Sequence, residues 1–286
     1  MMMDGLRADT LKAAVAEKNR LDMDVQVHKV IDSTNSWCLQ QCKTGRSLPF
    51  ACFAEEQTSG RGRRGKHWVS AAGANLAMSV VWPFSLSGRR LHLLPLSIAL
   101  AIAQTLERFG MEQVQVKWPN DVYVQGKKIA GILIETLPVR EGSIGNRNKK
   151  GVSVATVTGV GLNYDMSACR DSALDGVVLT DICEQLAGQM PLPERQDIAS
   201  SLLTDVVLTC QNFQQDAMQN LEVFRTHYDY CSGKNVVITL DDRETLSGIA
   251  QGVNDDAELL VLIGGELQAF NSAEVSVGAA CGAGPS

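Results

Sequence analysis

No Cys-x-x-Cys pair occurs among the eight cysteines, at 38, 42, 52, 169, 183, 210, 231 and 281, and the four histidines lie far apart. Zinc sites draw on closely spaced Cys and His, so no metal site of that kind is predicted. No stretch reaches the ~18 consecutive apolar residues of a membrane span. The opening Met-Met-Met-Asp-Gly-Leu-Arg lacks the apolar run of a secretory signal, so a cytoplasmic protein with reduced thiols is expected. Basic excess is missing too: 26 Lys and Arg face 32 Asp and Glu, a formal net charge of −6. General nucleic-acid binding needs a basic surface, and the balance argues against it. There is no internal repeat and no Gly-x-x-x-x-Gly-Lys-Ser/Thr phosphate loop. Apolar residues make up 45% of the 286, enough for one large core and a smaller one.

What the chain does carry is a basic, glycine-rich stretch, Glu56-Gln57-Thr58-Ser59-Gly60-Arg61-Gly62-Arg63-Arg64-Gly65-Lys66-His67-Trp68. Glycine lets the backbone take positive φ or pass close to a ligand. Guanidinium forks and successive N–H groups grip phosphate or carboxylate. The stretch reads as a loop for an anionic ligand, or else as a solvated basic loop or an RNA-binding Arg-Gly patch. Gly60, Gly62 and Gly65 formally fit Gly-x-Gly-x-x-Gly. Arginines fill the gaps, however, and the acidic residue of a dinucleotide site about 20 positions later is missing. With little apolar side chain to bury, the loop should be mobile and order on its ligand.

Periodicity places the rest. Residues 5–20 read as an amphipathic helix, Val25 to Ile31 as a strand, and Ser36 to Cys42 as a helix. Strands follow at Phe50 to Ala54 and Asn75 to Trp82, then a buried helix from Leu91 to Phe109 stopped by Gly110. Gln113 to Val116, Val122 to Val124, Lys128 to Leu137 and Val152 to Leu162 are further strands, with a polar hairpin loop at 140–150. Asp197 to Leu221 is a long amphipathic helix. From Gly233 short strands alternate with Asp-Asp, Asn-Asp and Gly-Gly turns, which predicts a small β-barrel of about 45 residues.

Three polar constellations interrupt this pattern. Asp32-Ser33-Thr34-Asn35 is a helix cap or a row of groups for a polar ligand. Lys117-Trp118-Pro119-Asn120-Asp121 is a plain turn or a rigid elbow projecting Asn120 and Asp121. Lys127-Lys128-Ile129-Ala130-Gly131-Ile132-Leu133-Ile134-Glu135 is an apolar strand opened by two lysines; Gly131 marks close approach of a ligand or backbone. Because strand side chains alternate, Lys127 and Lys128 should face opposite ways.

Taken in order, Asp-Ser-Thr-Asn, Gln-Thr-Ser-Gly-Arg-Gly-Arg-Arg-Gly, Gly-Ala-Asn-Leu, Lys-Trp-Pro-Asn-Asp, Lys-Lys-Ile-Ala-Gly-Ile-Leu-Ile-Glu and Gly-Val-Gly-Leu-Asn closely resemble biotin–protein ligases, from about Val25 to about Ala273. The resemblance implies an α+β fold: a class II synthetase-like, mixed-sheet catalytic domain over 1–232, an SH3-like β-barrel over 233–278 and a loose tail over 279–286. It implies attack of the biotin carboxylate on the α-phosphate of ATP, with Mg²⁺, to give biotinyl-5′-AMP. Biotin then passes to a lysine of the biotin carboxyl carrier protein of acetyl-CoA carboxylase.

By motif position, Lys128 should bridge the biotin carboxyl and the α-phosphate, with Arg63 and Asp121 as its catalytic partners. Ser33, Thr34, Asn35 and Gln57 should meet the ureido end, with Gly60 and Arg61 beside them. Arg61, Arg63 and Arg64 should close over the adenylate, and Trp68 should pack on it. Gly131 should leave room for the ligand. Asn120 and Asn163 should reach the nucleotide, and Asp121 the metal. A lipoate–protein ligase of the same fold and a DNA-binding biotin sensor are the alternatives. The short segment before the first strand, about 24 residues, and the acidic balance predict no winged-helix DNA reader and no specific DNA binding. Monomer and homodimer are both left open. The 138–151 loop is longer than the family pattern, and Val275 to Gly278 lacks the basic residue that some members carry there.

Overall fold

Alternation along the strands sorts the core into two. On the strand Phe50–Gln57, Ala51 and Phe53 join one apolar cluster while Phe50 and Cys52 join another on the opposite face. The computed structural model describes residues 5–85, 90–138, 153–169, 177–189, 191–240, 244–272 and 275–279. Its main body is a seven-stranded mixed sheet in the order β1-β2-β3-β7-β6-β5-β4. The strands are β1 Asp24–Ile31, β2 Phe50–Gln57, β3 Asn75–Ser85, β4 Val114–Lys117, β5 Asp121–Val124, β6 Lys127–Pro138 and β7 Ser153–Asn163. Only the β1–β2 pair is parallel.

Three helices cover one face: α1 Ala8–Asn19, α3 Leu94–Arg108 and α5 Arg195–Val223. Their buried rows, such as Leu11 and Val15 or Ile198, Leu202 and Val206, recur at helical spacing. Gly110, at φ 91°, follows the end of α3 in a left-handed conformation. Among the described residues the other face carries only one helix, the short α2 Thr34–Lys43, whose Cys38 packs on Phe50, Cys52, Val81 and Val157. Much of that face is therefore left for a ligand. A one-turn helix, α4 Ile182–Gln185, follows; it carried no periodic signal.

A separate antiparallel sheet forms from β8 Asn235–Leu240, β9 Thr245–Val253, β10 Leu259–Ile263, β11 Glu266–Phe270 and β12 Val275–Ala279, ordered β11-β10-β9-β8-β12. It docks on the β4 edge: Tyr230 N donates to Val116 O at 3.0 Å, and the buried indole of Trp118 donates to Ala257 O at 2.8 Å. The expected loop at 140–150 lies outside the described residues. The last strand runs through Ala279, one residue into the expected loose tail; the rest of that tail also lies outside the described residues. Among the described residues no helix is long and apolar enough to cross a membrane.

The start of α5 is tied to the sheet by Arg195, 6% exposed, which pairs with Glu55 and donates to Asn75 O. Removing one partner of a buried pair leaves the other charge uncompensated. Arg195→Ala is therefore expected to cost about 3–5 kcal/mol, measured as a shift of the urea midpoint at unchanged slope.

Candidate functional site

The free face holds a cavity of about 260 Å³, and of the six ordered motifs all but Gly-Ala-Asn-Leu contribute to its lining. At one end Ser33 caps α2, its side chain accepting from Ser36 N, so the capping role of Asp32-Ser33-Thr34-Asn35 is present. The same turn also lines the cavity. Gln57 Oε1 accepts from Thr34 N at 2.8 Å and lies 3.2 Å from Thr34 Oγ1. Ser79 Oγ, fully buried, lies 2.7 Å from Thr34 Oγ1 and 2.6 Å from Asn35 Oδ1. Asn35 Nδ2 donates to Glu135 Oε2 at 3.0 Å. The result is a pre-oriented row of polar groups at the N-terminus of α2.

The basic stretch is a pinned hairpin. Trp68 N donates to Gly60 O at 3.0 Å and Gly62 N to Lys66 O at 2.7 Å, with a 3₁₀ turn at Arg63–Gly65. A side chain at Gly60 would run into the Trp68 carbonyl oxygen, which is why glycine stands there. Arginine supplies its anchors. Arg61 forks onto Glu135 at 2.8 and 3.1 Å. Arg63 donates to Asn120 Oδ1 at 3.2 Å and to Ser272 O, and Arg64 to Thr239 O at 3.4 Å. Burial, helped by neighbouring Arg64, lowers the pKa of Arg63; Asp121 opposes the shift.

Across the cavity Lys128 Nζ pairs with Asp121 Oδ1 at 2.8 Å. Strict alternation would put Lys128 and Gly131 on opposite faces, yet both line the cavity. The pairing Val122↔Ala130 followed by Tyr123↔Lys128 leaves Ile129 as an extra residue, a β-bulge that reverses the facing between them. Lys127 points away, to Glu184 Oε1 at 2.6 Å, as alternation predicts locally. Asn120 is held in the elbow by Nδ2 donating to Ile132 O at 2.6 Å.

Three glycines form the floor. A Cβ at Gly159 would meet the Asn35 amide, and one at Gly161 would lie 2.7 Å from Trp68 Nε1. One at Gly131 would lie 3.2 Å from Trp68 Cζ3 and 3.4 Å from Asp121 Oδ1. Gly131 thus leaves room first for the Trp68 ring. The Trp68 indole N–H is buried with no hydrogen-bond partner among the described residues; such orphans point to a ligand group. Asn163 also lines the cavity, but its amide is engaged at both ends: Asn75 Nδ2 donates to its Oδ1 at 3.0 Å, and its Nδ2 donates to Thr180 O at 2.9 Å.

The sequence reading missed Ser79 and Glu135. Each left a signal, a lone polar residue in an apolar strand and a carboxylate ending one, but neither signal says what it would touch.

A mixed sheet with one face open, a pinned Arg-Gly hairpin and a Lys–Asp pair over glycines define the class. Residues 27–154 match the Biotin/lipoate A/B protein ligase family, and residues 231–278 match the Biotin protein ligase C terminal domain. The chain is 32% identical over 253 residues, 88% of its length and 74% of the relative's, to the bifunctional ligase/repressor BirA of Escherichia coli K12. It is 27% identical over 272 residues, 93% of its length and 92% of the relative's, to the biotin–[acetyl-CoA-carboxylase] ligase of Mycobacterium tuberculosis. The fold matches that of the biotin protein ligase from Aquifex aeolicus solved with biotin and ATP. The TM-score is 0.69 at 22% identity, over 90% of this chain and 99% of that one. The chain belongs to the biotin/lipoate A/B protein ligase family and, within it, to the biotin protein ligases.

The glycine floor is open to test. Gly161→Ala places a methyl group where the Trp68 indole rests, and overpacking of this kind costs about 1–3 kcal/mol. The melting temperature should fall and the Trp68 emission, taken as a difference against Trp68→Phe, should move to the red. Unchanged emission would show that the ring does not rest on Gly161.

Proposed function

We propose that the chain is an ATP-dependent biotin–protein ligase that forms biotinyl-5′-AMP and passes biotin to a lysine of a carboxylase's biotin carrier domain. The observation that carries this reading is the bulge at Ile129, which brings Lys128 into one cavity with Asp121 and the Arg-Gly hairpin. In this reading the ureido end of biotin meets Ser33, Thr34, Asn35 and Gln57, beside Gly60. The carboxylate and the ATP α-phosphate then meet at Lys128. Two anionic reactants repel, and a fixed ammonium between them lowers that repulsion and stabilises charge developing at phosphorus. Arg61, Arg63 and Arg64 close the hairpin over the adenylate, with the Trp68 ring packed on it. Asn120 holds Arg63 in place. Asn163, with its amide already engaged, shapes the nucleotide end rather than gripping it.

Asp121 is the only carboxylate among the described residues lining the cavity. Mg²⁺ usually rests on one or two carboxylates plus substrate phosphates, which a single Asp can satisfy. When bound it would neutralise phosphate charge. In the second step Asp121 attracts the incoming lysine. We assign residues 1–232 to a class II synthetase-like catalytic domain and 233–278 to an SH3-like barrel. ATP and the carrier place the reaction in the cytoplasm.

Mass spectrometry of a carrier domain incubated with the protein, biotin and MgATP should show one added biotinyl group; a lipoyl group added in preference, with lipoate as competitor, would overturn the reading. The two adjacent lysines give an internal control. Lys128→Ala should lose biotin-dependent pyrophosphate release by about 10²–10³, while Lys127→Ala, whose ammonium faces Glu184, should stay near wild type. Equal losses would place the catalytic cation elsewhere.

A further inference from the structure

The cations lining the cavity are Arg61, Arg63, Arg64, Lys66, Lys117 and Lys128. Arg61 and Lys128 are matched by carboxylates, and Arg63 and Arg64 by carbonyl oxygens. Among the described residues Lys66 has no such partner either but is exposed to solvent; Lys117 is not. It is largely buried, and among the described residues it makes neither an ion pair nor a hydrogen bond. Its ammonium lies 5.5 Å over the ring of Tyr123. Burial lowers its pKa; Cys231 and Asp121 oppose the shift, while Lys128 and Lys66 push the same way as burial. Holding a sheltered ammonium without a counter-charge is costly, and the cost is recovered where an anion is received.

Strand order says which anion. Across the sheet the site runs β3, β7, β6, β5, β4. Ser79 on β3 and the Asn35 amide over Gly159 on β7 lie at the ureido end; Lys128 on β6 and Asp121 on β5 lie in the middle. Lys117 on β4 pairs with Asp121 in register, one strand further out. A ligand laid across the strands, with its carboxylate at Lys128, brings what lies beyond the α-phosphate over Lys117. We propose that Lys117 binds the β- and γ-phosphates of ATP and stabilises the departing pyrophosphate. This rests on the biotin–protein ligase reading. In the step, a biotin carboxylate oxygen bonds to the α-phosphorus as the bond to the bridging oxygen breaks. The electron pair leaves on pyrophosphate; Lys117 keeps its proton.

Packing supplies the control. Tyr123 stacks on Tyr230 at 4.8 Å between centroids, and Lys234 Nζ lies 3.4 Å from the Tyr230 ring centre. Lys117 and Lys234 thus cap opposite ends of one aromatic column, and only Lys117 lines the cavity.

Lys117→Met and Lys117→Gln should raise the KM for ATP and slow biotin-dependent pyrophosphate release by about 10²-fold. Transfer from supplied biotinyl-5′-AMP to a carrier lysine should hold within about twofold, since no pyrophosphate departs in that step. Lys117→Arg should recover most of the loss, and Lys234→Met should match wild type. Equal loss in both half-reactions, or Lys117→Met and Lys234→Met falling together, would reduce Lys117 to packing and overturn the proposal. On the wild-type chain, magnesium pyrophosphate should protect Lys117, and not Lys234, from acetic anhydride, read by peptide mass spectrometry; equal labelling would also overturn it. If wild-type protein releases no pyrophosphate with biotin, the biotin-ligase reading itself fails, a result distinct from an active wild type with an indifferent Lys117.

Discussion

Lys128 and Asp121 meet at 2.8 Å above a floor of glycines, and much of the seven-stranded sheet is arranged around that meeting. Asp121 opens a strand just after a Pro-Asn elbow; Lys128 sits at the start of the neighbouring strand and would face away but for one inserted residue. The floor must be glycine because the Trp68 ring and the Asn35 amide occupy the space side chains would need. Among the described residues only one short helix covers that sheet face, which leaves room for the cavity. Each feature is local, and each helps bring the Lys128 ammonium against a polar pocket.

The small antiparallel sheet takes part in the same arrangement. Carbonyls of Thr239 and Ser272 accept from the hairpin arginines, and Ala257 O accepts the indole N–H of Trp118 in the elbow motif. The hairpin is therefore braced from both sides, by Glu135 within the catalytic sheet and by backbone oxygens of the second sheet. A loop of glycine and arginine has no apolar side chain to bury; its order comes from charged forks meeting fixed oxygens.

Much of this was legible in the sequence. The strands and long helices follow from periodicity, and Lys127 pointing away from Lys128 follows from alternation. Five of the six ordered motifs supply residues that line the cavity. Other features were not legible, each for a physical reason. A bulge at Ile129 leaves no compositional mark, because Ile129 is as apolar as its neighbours. The roles of Ser79 and Glu135 depend on partners 44 and 100 positions away in the chain. The anchors of the hairpin were not legible because arginine's anchoring capacity depends on oxygens elsewhere in the fold. Lys117 was visible as part of a motif, but its lack of a counter-charge is a property of the folded site.

The central claim is that this cavity activates a carboxylate by joining it to the α-phosphate of ATP. Biotin labelled with oxygen-18 in its carboxyl group tests it directly. After one turnover onto a carrier lysine, the account predicts AMP bearing a single label, since one carboxyl oxygen leaves with the nucleotide. Unlabelled AMP, with the label in orthophosphate, would contradict it.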